Sequence, residues 1–427
     1  MRYSNSSSTP LRPFTGVSAA GGSRPGVYAG LAALVPSPQP PAPPHRRGFT
    51  LVEMLIVIAI MLLLVAAAAT IMPAATEARR VREAGRGLNV YLGSARNRAM
   101  ESGRSCGVTF HFLGGTLSAA PCAMNLDQCE VPPDYEGLTE VSMALVNTSM
   151  MTVNLVSGTD STGKPAPEML PSNMVRPNDL IQFNRQGVIY YITAPFKDKN
   201  GNAVPPDNNG FLTNKVTSFG IFACDPNPAP PLPTFSSAVP FCIFRSPMKS
   251  GATPLQLPTA SVVDFRYAGT GSGYMGAPWT GAAMQVYNPG QTVLYNGMLY
   301  LCIQKTMGQT PTNTTYWQPL TTFTVLFSST GAIDKVYYNA YQSPVTDPIY
   351  LMIGKRDRVT NGFVASNGNE STLTNLQDLK NLWVAINPQT GLVNTAAVAS
   401  SAAASNEANA VAPARQFAAQ GIGIGGK

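Results

Sequence analysis

The chain has 427 residues, room for two or three domains, and only 12% are charged against 44% hydrophobic. That balance excludes both a highly charged disordered chain and a multi-span membrane protein. The net charge of +7 is uneven: residues 1–48 hold Arg2, Arg12, Arg24, Arg46 and Arg47 and no acid, leaving 24 basic against 22 acidic residues elsewhere. Such a body offers no long-range attraction to nucleic acid. His45 and His111 are the only histidines, so a His-based triad and a multi-His metal site are excluded for the body.

Residues 1–47 are rich in Ser, Gly and Pro without apolar periodicity, and read as an unfolded, partly polyproline-like segment. Residues 49–72 carry a single charge, Glu53. As a helix this run rises about 36 Å, enough to cross a hydrocarbon core of about 30 Å. Small residues at 66–69 leave a cleaved signal peptide open as the alternative. A carboxylate inside a span costs about 2.5–3.5 kcal/mol near its centre. Glu53 therefore either snorkels to the interface or has a task there.

The run Gly48-Phe49-Thr50-Leu51-Val52-Glu53-Met54 after His45-Arg46-Arg47 resembles the processing site of type IV pilins and type II secretion pseudopilins. The resemblance implies that a prepilin peptidase cuts after Gly48 and that the new N-terminal Phe49 is methylated. It implies further that Glu53 pairs with the N-terminal amine of a neighbouring subunit during assembly. A glycine before the cut leaves the backbone open to a protease, and the ion pair gains strength in lipid. The 48-residue leader is longer than the short basic leaders common in the family. Arg79, Arg80, Arg82 and Arg86 follow the span, so the positive-inside rule gives no clean orientation. A single span of the inner membrane, with the body in the periplasm, is what the resemblance implies.

Pro73 ends the purely apolar part and is expected to kink the helix. Beyond it Val81, Ala84, Leu88, Leu92, Ala95 and Ala99 recur every three or four residues, one apolar stripe facing a sheet. Gly85, Gly87 and Gly93 weaken this helix by about 1 kcal/mol each relative to Ala. The passage from Leu92 through Arg96, Arg98 and Gly103 to Val108-Thr109-Phe110 resembles the helix-to-first-strand passage of GspH-type minor pseudopilins.

From residue 105 the pattern is strands and turns. Strands are expected at 108–112, 181–183, 187–194, 219–223, 262–267, 324–327, 332–338, 349–353 and 382–386, the last forming a hairpin with 392–398. The fold class is α+β: a long N-terminal, partly transmembrane helix on an antiparallel β-sheet head, with a small all-β insertion. The expected divisions are leader 1–48, transmembrane part 49–72, amphipathic part 73–104, head 105–269 and 321–399, insertion 270–320, and flexible tail 400–427. Residues 197–209 and 226–233 read as exposed loops.

Six cysteines without a CxxC pair argue against zinc and thioredoxin chemistry. Outside the cytoplasm they are candidates for disulfides, with Cys224–Cys242 and Cys122–Cys129 preferred because each pair brackets a short loop. Asp198, Asn200 and Asn202 have calcium-loop spacing, but Ala203 and Asn209 replace the required Gly and Glu. No cofactor, metal site or catalytic constellation is expected.

Residues 270–320, with Trp279, Tyr287, Gly290, Tyr295, Gly297, Tyr300 and Trp317, resemble the short chitin- and cellulose-binding modules appended to chitinases. That resemblance makes Trp279 a platform for a sugar ring and puts Tyr287, Tyr300 and Trp317 in a small aromatic core. It departs where such modules carry adjacent exposed aromatics, since Gln304 and Lys305 stand here. The strands flanking the module read as sheet neighbours, so it is expected to project from a hairpin tip. The leading expectation is a minor pseudopilin of a type II secretion system, partnered by prepilin peptidase and other pilin-type subunits. A minor pilin of a type IV pilus and a membrane-tethered glycan-binding protein are the alternatives, and polysaccharide or secreted cargo the further partner.

Overall fold

The computed structural model describes residues 49–114, 120–172, 174–207, 212–223, 237–281, 285–363, 372–401 and 404–425, without the side chains of 67–75 and 423–425. The leader, Gly48, Cys224, Asn209, the 226–233 loop and the side chain of Pro73 lie outside that description. Helix α1 runs Leu51–Ser102, and the chain divides at Val65/Ala66 into two compact units, taken separately below.

In the second unit the periodic stripe of α1 is buried: Val81 is 1% exposed, and Ala84, Leu88, Leu92, Ala95 and Ala99 are fully enclosed. Gly85 sits where a side chain has little space, since a Cβ there would lie 3.0 Å from Leu382 Cδ1. Arg96 Nε donates to the carbonyls of Gly331 at 3.1 Å and Thr390 at 3.0 Å. It thereby fastens the far half of the helix to two turns. Gly391 in one of them has φ +64, and a Cβ there would meet Gly331 O at 1.8 Å, so only glycine fits.

The stripe covers an eleven-stranded antiparallel sheet. Its main path consists of β1 (Cys106–Leu113), β2 (Ala120–Glu130), β3 (Ser261–Thr270), β4 (Thr322–Phe327), β5 (Ile333–Tyr338), β6 (Tyr341–Ser343), β7 (Ile349–Lys355), β8 (Leu382–Ile386) and β9 (Val393–Ala397), in the spatial order β6-β5-β4-β1-β2-β3-β7-β8-β9. Alternation sorts the side chains of β7 and β8 cleanly. Ile349, Leu351, Ile353, Val384 and Ile386 face α1, whereas Tyr350, Met352, Trp383 and Ala385 face the opposite side.

That opposite side corrects the expectation of a flexible tail. Helices α2 (Glu407–Ala414) and α3 (Gln416–Gly425) lie on it, burying Ala410, Val411, Ala414, Ala418 and Ile422 against Trp383 and Tyr350. Asn406 caps α2 by accepting from Asn409 N at 2.9 Å. Arg266 holds Glu407 through two bonds of 2.8 Å. The buried Arg415 donates to the carbonyls of Tyr267 (2.7 Å), Gly271 (2.8 Å) and Gly273 (2.9 Å). The segment is poor in large apolar side chains, and its anchoring comes from these polar groups.

The head is also not one sheet through 105–269. The chain leaves β2 after Glu130 and returns at Met248, which pairs back with Glu130. Between these points a second, seven-stranded sheet builds its own core from Val153, Leu155, Ile181, Ile192, Phe219, Ile243 and others. Residues 131–247 therefore form an inserted domain.

Residues 270–320 depart from the expected hairpin tip as well. Strands β3 and β4 share the sheet but β1 and β2 stand between them. The module's own three-stranded sheet, Thr292–Tyr295, Met298–Cys302 and Trp317–Pro319, lies against the main core. Leu299 and Leu301 belong to the core under α1, while Tyr300 and Cys302 belong to the module's aromatic core.

Asp264 on β3 is fully buried, its Oδ1 accepting from Arg266 N at 3.0 Å and its Oδ2 from Asn375 Nδ2 at 2.8 Å. Burial pushes this carboxyl up to about 7, against the lowering by those bonds and by the Arg266 charge. The folded state therefore holds the proton more tightly than the unfolded chain, where an Asp titrates near about 3.9. Asp264 thus lowers stability as pH rises from about 4 to about 7, and the loss levels off above that range. Thermal unfolding of Asp264→Asn should show a shallower decline over this range than wild type. Parallel profiles would contradict the assignment.

Candidate functional site: the N-terminal turn of the long helix

In the first unit, α1 begins two residues after the expected cut. Thr50 stands at the N-cap and Glu53 at the third helical position. Glu53 N donates to Thr50 Oγ1 at 3.2 Å, and Glu53 Oε2 accepts from Thr50 N at 3.2 Å and from Thr50 Oγ1 at 3.3 Å. This reciprocal cap satisfies two backbone donors that a helix start leaves open. It also holds the carboxylate at the positive end of the helix dipole, beside Phe49, where cleavage would create an ammonium. Thr50 is the site residue that charge reasoning missed; its signal was the spacing Thr50-x-x-Glu53.

Every large apolar side chain from Leu51 to Val65 is 48–81% exposed, and Phe49 is 76% exposed. A continuous apolar surface all round a helix fits a non-aqueous setting better than water. Among the described residues no helix is long and apolar enough to cross a membrane. The expected span continues through 67–72, whose side chains fall outside the description.

The other sequence candidates within the described residues belong to the second unit. Tyr287 and Tyr300 are 6% exposed and Trp317 is 1% exposed, in one cluster with Val293 and Cys302. Trp317 Nε1 donates to Gln309 O at 3.1 Å. Trp279 is only half-buried; it meets Tyr295 edge-on, with ring centroids 5.3 Å apart. A Cβ at Gly281 would lie 3.1 Å from the Trp279 ring, so that flank of the indole is occupied by backbone.

Cys122 and Cys129 correct the expectation of a bridge between them. Both lie on β2, seven residues apart on one extended strand, and both are free buried thiols. Seven residues of strand span roughly 23 Å, far beyond the about 4.4–6.8 Å that a disulfide allows between Cα atoms. Burial pushes each thiol up to about 12, which makes them unreactive. Cys242 is free and buried in the described structure, and its expected partner Cys224 lies outside it.

Asp198 spends its carboxylate on its own turn, accepting from Asn200 N and Asn202 N, each at 2.8 Å. Among the described residues no group of three or more His, Cys, Asp or Glu side chains could hold a metal ion.

Residues 43–69 match the model of the prokaryotic N-terminal methylation motif. That motif spans the expected cut, Thr50, Glu53 and most of the exposed apolar run. The chain therefore carries the N-terminus of a type IV pilin-like, prepilin-processed protein, the kind cut by prepilin peptidase and assembled with other pilins. No curated protein and no solved structure matches the chain.

Proposed function

We propose that this chain is a structural subunit without catalytic activity: a GspH-type minor pseudopilin of a type II secretion system. It is held in the inner membrane by residues 49–72 with its body in the periplasm. It is cut after Gly48, methylated at Phe49, and built into a short pseudopilus that helps export proteins. The observation that carries this reading is the methylation motif, set on a helix start where Thr50 fixes Glu53 and exposed apolar side chains follow. The near-neutral body speaks against DNA uptake, the main attraction of the alternative as a minor pilin of a type IV pilus.

Chemical cross-linking in intact cells, followed by separation of envelope from sheared surface fibres, tests the reading. The full chain is expected in the envelope fraction, joined through α1 to other subunits bearing the methylation motif. Recovery in sheared fibres would favour the surface pilus instead, and no such cross-link in either fraction would contradict assembly. Residues 270–320 supply the contact with polymer or cargo in this proposal. Retention on insoluble chitin or cellulose, lost in Trp279→Ala, is the expected result; no retention would leave the module a packing role. Retention by a chain that never cross-links to other subunits would favour the tethered glycan-binding protein.

A further inference from the structure

Arg79, Arg80, Arg82 and Arg86 follow the apolar run, where the positive-inside rule gives no clean orientation. Within the second unit, Arg79, Arg80, Arg82 and Arg86 are exposed. Arg79 lies seven residues, about 10 Å of helix rise, past Met72. Beside them opens a cleft of about 420 Å³, bounded by Arg80 and Val81 of α1, Ala260 and Ser261 at the start of β3, and Arg356 just after β7. Lys355 in its wall is already matched, with Nζ 2.7 Å from Glu77 Oε2 and 3.5 Å from Asp378 Oδ2. Arg358 behind it is paired to Asp378. Asp357 is exposed at the rim.

Once these pairs are made, Arg80 and Arg356, from two different elements, remain against the single carboxylate of Asp357; both arginines are exposed and have no ion pair among the described residues. A body with an excess of only two positive charges thus concentrates unpaired cations at the foot of the helix. Two guanidinium groups flanking a cleft suit a phosphate oxygen cluster, which arginine grips in a planar fork. The exposed Ala260 suits the carbon part of a lipid headgroup region.

We propose that this cleft binds the phosphate of an anionic membrane phospholipid, seating the head against the bilayer surface before assembly. The inference rests on the membrane-anchored reading above. It explains why arginines crowd a place where they cannot help orient the span.

The full processed chain in mild detergent, titrated with phosphatidylglycerol or phosphatidylcholine and weighed by native mass spectrometry, provides the test. Wild type is expected to retain phosphatidylglycerol preferentially. Loss of retention should be about fivefold for Arg80→Ala or Arg356→Ala alone, and about twenty-five-fold for both. Arg104→Ala, two residues past the far end of α1, should retain lipid as wild type does. Equal retention of the two lipids, or undiminished retention by the double variant, would overturn the inference. So would displacement of the lipid by millimolar inorganic phosphate, which would make the cleft a free-anion site. Flotation with phosphatidylcholine vesicles separates the two levels. A chain that floats without preferring the anionic lipid sinks this inference alone, and one that does not float sinks the anchor.

Discussion

Glu53→Ala should accumulate as a cleaved, membrane-held protein that fails to enter fibres, with incorporation reduced at least about tenfold. On the proposed processing, cleavage depends on the residues around Gly48 and Phe49, which the change leaves in place. Anchoring improves if anything, because removing a carboxylate from lipid relieves about 2.5–3.5 kcal/mol. On the proposed assembly, what disappears is the countercharge for a neighbouring subunit's terminal ammonium, an attraction much stronger in a low-dielectric setting than in water. The reciprocal cap with Thr50 complicates a single substitution, because losing a cap costs about 0.5–2 kcal/mol by itself. Glu53→Gln separates the two effects. Its amide oxygen can still accept from Thr50 N but carries no charge. Fibre entry by Gln and failure by Ala would make the cap the essential feature. Entry of both at wild-type level would contradict the assembly role.

The second large effect is expected at Arg415. Its guanidinium holds three backbone carbonyls and lies 4.8 Å from the ring centroid of Tyr350 and 5.1 Å from that of Trp383. Arg415→Ala strands these carbonyls at about 1–3 kcal/mol for each one left buried and unpaired, and opens a cavity under α3. A loss of about 3 kcal/mol or more is therefore expected. It should be felt first as faster amide hydrogen exchange through 407–425, because Arg415 joins α2 to α3 and Trp383 Nε1, donating to Ala414 O at 2.9 Å, links the end of α2 to the sheet. Arg415→Lys should recover little, since one ammonium cannot reproduce a fork aimed at three carbonyls. Exchange unchanged in 407–425, with a stability change below about 0.5 kcal/mol, would mark Arg415 as an ordinary surface position.

The parts of the fold that were legible are those whose signal is local. The stripe from Val81 to Ala99 repeats with helical period, and the apolar runs 349–353 and 382–386 are buried strands long enough to stand out. Strand β2 was not legible although it sits near the sheet's centre. Its Asp127 and Gln128 are tolerable only because His111 and Lys249 each meet Asp127 at 3.0 Å and Ser94 meets Gln128 at 3.2 Å. Those partners are brought by tertiary structure, and no local pattern announces them.

The C-terminal helices failed for a related reason. Ala410, Ala414 and Ala418 bury little surface each, while Arg415 reads as a solvated charge because its acceptors lie about 140 residues earlier in the chain. At the N-terminus the charge of Glu53 was conspicuous in an apolar run, whereas its hydrogen-bonding to Thr50 required the helix boundary to be known. The Cys122–Cys129 pairing failed because a short polar interval looked like a loop and is a strand.

The most direct measurement is the mass and fragmentation of the N-terminal peptide from the full chain recovered from membranes of its own cells. A chain beginning at N-methylated Phe49, with Glu53 five residues into the mature protein, is the expected result. An intact start, or a cut well downstream of Phe49, would contradict it.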